Sequence, residues 1–104
     1  MSVLVCQIEE VSDDISQTHN KKSKQVILSI VNVNETIASS QCNIQDLCEQ
    51  LPTIMKKLMS SVEDKTCINE IILDFDVSKN LTTKRVLMSF LLGFFDDKID
   101  VIEH

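Results

Sequence analysis

A chain of 104 residues with 43% hydrophobic and 25% charged side chains has the make-up of one globular domain, long enough to bury a single core without staples. Its net charge is −6, and it has no basic stripe, which excludes the usual recognition of a phosphate backbone. One Gly, one Pro and no Trp or Tyr predict few tight turns and an aliphatic core.

SVLVCQIEEV, residues 2–11, alternates as a strand does, with Leu4, Cys6 and Ile8 facing one way. Residues 12–24, SDDISQTHNKKSK, are polar and read as a solvated connection, with the basic cluster Lys21, Lys22 and Lys24 beside Asp13 and Asp14. KQVILSIVNV, residues 24–33, is a second strand, β-branched and apolar on both faces as a central strand is. ETIASSQC, residues 35–42, fits either a third strand after a tight turn at Asn34 or a loop.

Asn43 is suited to an N-cap, with Asp46 three residues on. Behind it run Ile44, Leu47, Cys48, Leu51, Met55, Leu58, Met59 and Val62, a stripe about 140° wide at 100° per residue. Pro52 interrupts this stripe at a cost of about 3 kcal/mol in a helix interior. The unbroken pattern across it predicts one kinked helix, with a restart at Pro52 as the alternative. INEIILDFDV, residues 68–77, is the clearest strand, with Ile71, Leu73, Phe75 and Val77 on one face and Ile72, Asp74 and Asp76 on the other. A helix is predicted from Asn80–Thr83 to about Asp96, and KIDVIEH, residues 98–104, adds a short final strand. The expected fold is α+β: a two-layer sandwich, one domain over 1–104, with a small mixed sheet of three to five strands and two helices on one face, in the order β-β-(β)-α-β-α-(β).

The second helix carries unusually much apolar surface. Thr82, Arg85, Ser89, Gly93 and Asp96 make one narrow polar stripe. The remaining arc spans roughly 240°, against the ~100° that a surface helix needs. Leu87 and Leu91 lie at its centre, with Val86, Phe90 and Phe94 on one shoulder and Met88, Leu92 and Phe95 on the other. A contiguous patch of this kind marks a contact with another protein, so Val86, Met88, Phe90, Leu92, Phe94 and Phe95 are the candidate partner-binding residues. The competing expectation is that the final strand and residues 35–42 wrap the helix within one chain. Lys84 and Arg85 near its start, and Asp96 and Asp97 near its end, oppose the helix dipole, which suggests charges kept for an outside contact.

Other chemistry is thinly supported. Asp74 and Asp76, two apart on a strand, point the same way and are placed to share a divalent cation. The run IILDFDVSKNLT resembles the first motif of the haloacid-dehalogenase-like phosphatases, which implies a nucleophilic Asp74 and an acid/base Asp76. This sequence departs from the family in lacking the glycine common after the second Asp, and only 28 residues follow Asp76. The simpler expectation is a solvated strand end, and a small metal-dependent hydrolase is the alternative function. His19 sits in a polar stretch and His104 at the end, neither beside Cys42 or Cys67 as a nucleophile pair requires. Cys6 and Cys48 fall on apolar faces, no CxxC pair is present, and no metal or cofactor is expected. MSVLVCQIEE lacks the positive start of a signal peptide, and the run 86–95 is about half a membrane span, so a cytoplasmic protein with reduced thiols is expected.

The expected function is a non-catalytic protein-interaction domain acting as a homodimer or in a hetero-complex, without nucleic acid or membrane. An assembly chaperone, a complex subunit, an inhibitor or a neutralising partner all fit. In element order the chain resembles the small proteasome-assembly chaperones, a likeness of topology without a shared motif. A partner with a basic-rimmed apolar groove suits an acidic protein with apolar surface to cover.

Overall fold

The computed structural model describes residues 2–12, 22–63, 67–96 and 99–103. Strands β1 (Ser2–Ser12), β2 (Lys22–Asn32) and β3 (Glu35–Asn43) come first. Helix α1 (Leu47–Met59), strand β4 (Ile68–Asp74), helix α2 (Leu81–Phe94) and strand β5 (Asp100–Glu103) follow. The sheet runs β3-β2-β1-β4-β5. The first three strands pair antiparallel, β4 lies parallel to β1, and β5 parallel to β4. The expected α+β architecture is therefore the observed one, with every optional strand formed.

Strand alternation sets the core. Leu4 stands between Ile30 and Ile71, and Cys6 between Leu28 and Leu73. All six are fully buried, because this is the face on which both helices pack. The alternate residues Val3, Val5, Ile27, Val31 and Ile72 are only half-buried, and among the described residues no element covers this opposite face of the sheet.

β1 and β2 are longer than expected. They pair out to Ser12 and Lys22, so the predicted loop over 12–24 gives up both its ends to the ladder. Residues 13–21, with His19 and the Asp13–Asp14 pair, lie outside the described residues, as do Asp97 and His104. The β2–β3 turn is Val33–Asn34, and Val33 takes φ 58°, a left-handed conformation that disfavours a β-branched residue. The register then shifts between Ile30, opposite Ala38, and Val31, opposite Thr36, which leaves Ile37 as the extra residue of a bulge.

Asn43 caps as expected, its Oδ1 accepting the Gln45 amide at 3.0 Å. What it caps is a 3-10 turn, Ile44–Asp46, from which α1 continues. Pro52 lies inside α1 without dividing it. The magnitudes explain this outcome. A proline costs about 3 kcal/mol, while burying Leu51, Met55 and Leu58, each at most 1% exposed, returns roughly 1.5–3 kcal/mol apiece as an upper estimate. Cys48 departs from expectation: it is exposed, and Ile54, absent from the predicted stripe, is buried instead.

Candidate functional site

The wheel drawn for α2 holds on its polar side, where Thr82, Arg85, Ser89, Gly93 and Asp96 are all exposed. Its buried stripe is Thr83, Leu87 and Leu91, with spacing i, i+4, i+8. The six candidate contact residues divide. Val86, Met88, Phe90, Leu92 and Phe94 are partly buried and packed on the core, so α2 hides more of its apolar arc within its own protomer than the wheel alone implies. Phe95 is corrected outright. It is 7% exposed and belongs to the core, because it continues the buried stripe of Thr83, Leu87 and Leu91 at the same spacing of four, its N–H still donating to the Leu91 carbonyl at 2.9 Å. Asp96 follows at φ 57°, a left-handed terminus of the kind that ends helices.

The reversed charges have a local answer at one position. Lys84 Nζ is paired with Glu103 Oε1, which ties the first turn of α2 to the end of β5. Lys84 is thus committed within the chain, contrary to the idea that it is reserved for an outside contact.

Between α1 and α2 runs a groove made of two adjoining hollows of about 390 and 380 Å³, which share Cys48 and Val86. Leu51, Arg85 and Phe90 border one end, and Ile44 and Thr82 the other. The groove contains one of the predicted shoulders, Val86 and Phe90, together with the exposed Cys48 that the stripe on α1 misplaced.

A second apolar surface, not singled out from the sequence, is the open face of the sheet. Register sets its rows: Val31 beside Val3, and Val5 beside Ile72 beside Ile102. Ile102 is 45% exposed. On the β3 side the face turns polar, where the Ser29 and Ser39 hydroxyls share a hydrogen bond of 3.0 Å. Among the described residues the charged side chains on this face are Glu9, Glu70, Asp74 and Asp100, all acidic. Glu70 and Asp100 are direct neighbours across β4 and β5, a like-charge pairing that costs stability in a sheet. The available signal was in KQVILSIVNV, whose apolar residues on both faces require either two covering layers or one open apolar face.

The carboxylates of the alternative reading are not aligned on one strand. Asp74 ends β4 and accepts the Gln7 Nε2 hydrogen bond at 3.1 Å. Asp76 lies beyond the strand and caps a 3-10 turn at Val77–Lys79, its Oδ1 accepting from Ser78 N at 3.1 Å and Ser78 Oγ at 2.6 Å. The Ser78 hydroxyl, more than nearby Lys79, holds the Asp76 carboxyl below its ordinary pKa. The same-face expectation therefore fails at Asp76, because β4 stops two residues before it. Among the described residues no group of three or more His, Cys, Asp and Glu side chains is placed to hold a metal ion, and no helix is long and apolar enough to cross a membrane. Cys6, Cys42, Cys48 and Cys67 are free thiols. No protein-family model, curated protein or solved structure matches the chain.

Proposed function

We propose that this protein is a non-catalytic protein-binding domain, and that its principal docking surface is the bare face of the sheet. The observation that carries the reading is the aliphatic row Val5–Ile72–Ile102, with Val3 and Val31 beside it, which no element among the described residues covers. This row lies on the parallel half of the sheet, and parallel strands normally have both faces covered, whereas here the β-branched aliphatics are half-buried or exposed. Size also supports it. Four strands sharing about six paired residues and a four-residue β5, at ~4.8 Å spacing and ~3.3 Å per residue, give roughly 450 Å² in projection, over half of the ~800 Å² per partner of a standard interface.

The fringe of Glu9, Glu70, Asp74 and Asp100 favours a partner with an apolar patch ringed by Lys and Arg, since complementary potentials speed encounter while apolar burial holds the complex. A second copy of this face would bring acid against acid. The α1–α2 groove, with Val86 and Phe90, is the secondary surface. An assembly chaperone, a complex subunit and an inhibitor all work through such a contact.

The test is photo-crosslinking in cells from position 102 and, separately, from position 92 on α2. A partner trapped from 102 and released by Ile72→Lys, with the domain still folded, supports the reading. Trapping from 92 alone moves the docking surface to the helix. No protein trapped from either position would overturn the proposal.

A further inference from the structure

The two edges of the sheet are unlike. The β5 edge is four residues long, Asp100–Glu103; a carboxylate stands at each end, and Glu103 is held by Lys84. The β3 edge is nine residues long, Glu35–Asn43, and after Glu35 carries no charge, no proline and no lysine. Charged, short or proline-bearing edges are how folded proteins keep strands from adding to one another. β5 has that protection. β3 has only the bulge at Ile37, and from Ala38 to Asn43 its register on β2 is regular. β3 ends the strand order, so among the described residues no strand pairs with its outer backbone N–H and C=O groups over this stretch.

We propose that β3 pairs antiparallel with β3 of a second copy across a two-fold axis, joining two sheets into one continuous sheet. Three features favour a second copy over a foreign strand. The stretch ASSQCN is neutral, so two acidic chains, each of net charge −6, approach at the one strand where no like charges oppose. An identical strand brings matching length and twist to an isologous contact. A foreign peptide is selected by side-chain pockets beside the edge, and the exposed flanking side chains here are Ser39 and Gln41, which select little. The inference is independent of the docking reading; if both hold, the dimer presents two bare faces side by side.

Sedimentation of the full chain from about 1 µM to 1 mM tests it, because backbone pairing of this length gives a weak, concentration-dependent dimer. The expected result is a reversible monomer–dimer equilibrium that Gln41→Lys weakens about tenfold or more, by setting like charges close across the axis. Hydrogen exchange of unmodified protein should show amides within residues 38–43 gaining protection as concentration rises. A monomer over the whole range overturns the proposal. So does a dimer indifferent to Gln41→Lys and dissolved by Ile72→Lys, which would place the copies face to face.

Discussion

Gly93 stands on the exposed side of α2, and a Cβ added there would meet nothing within 4 Å. Its place beside Ser89 on the polar stripe invites the idea that a neighbouring backbone comes close, but among the described residues nothing does. Gly93→Ala should therefore raise stability, by less than the ~1 kcal/mol that separates the two residues in a helix interior because position 93 lies in the last turn of α2, read by urea unfolding. If Gly93→Ala lowers stability, the helix does not run as described at that point. Cys6 is the opposite case. Burial pushes its thiol up to about 12 from 9.0, so the folded protein keeps the proton that the unfolded chain gives up. The stability tied to that thiol is present below pH 9.0 and lost as pH rises through about 12, at roughly 1.4 kcal/mol per pH unit across the interval. Cys6→Ser removes this dependence but leaves a hydroxyl in an apolar site, so the slope against pH is the quantity to compare. At neutral pH, Cys48 and Cys67, both exposed, should be alkylated while Cys6 waits for unfolding.

At the scale of elements, α2 decides how much apolar surface is structural and how much is spare. Leu91 is wholly buried and Leu92 only partly so. Leu91→Ala should cost about 2–5 kcal/mol, as large-to-small changes in a packed core do, whereas Leu92→Ala should cost less than half as much. Equal losses in thermal and denaturant unfolding would mean that the whole arc of α2 is core and that the helix contributes no docking surface. The wheel placed the exposed stripe of this helix correctly, because the 100° period is a local property of the chain. It set Phe95 on a shoulder, but Phe95 lies four residues beyond Leu91 and extends the buried stripe of Thr83, Leu87 and Leu91 into the core. Cys48 and Asp76 were misread for related reasons. Cys48 lies at the margin of the α1 stripe, where the exact path of the helix over the sheet decides burial. Asp76 lies past the last paired residue of β4, where a nearby Ser78 offered a tighter local use for the carboxylate. The parallel pairings of β1 with β4 and of β4 with β5 join segments distant in sequence, and alternation constrains which face such strands present without naming their neighbours.

For the whole molecule, the governing asymmetry is that both helices cover one face of the sheet. Both the apolar residues on the two faces of β2 and the packing of two helices on one face were legible in the sequence, and together they imply one open apolar face. What remains is an aliphatic face fringed with carboxylates, in which Glu70 and Asp100 adjoin across β4 and β5. Alone, that pair weakens the sheet by about 0.2–1 kcal/mol. Asp100→Asn should accordingly make the isolated protein slightly more stable in denaturant. The same change should slow association with a basic partner, and should flatten the dependence of the association rate on salt, since steering by exposed charge is screened over about 8–10 Å at ordinary ionic strength. Dissociation should change little, because the apolar rows hold the complex once formed. These readouts separate the two roles of the carboxylate. A gain in stability with unaltered association would leave Asp100 as a plain cross-strand repulsion. A loss of stability would mean that the pair is already neutralised inside the protomer, and the acidic fringe would no longer call for a basic partner.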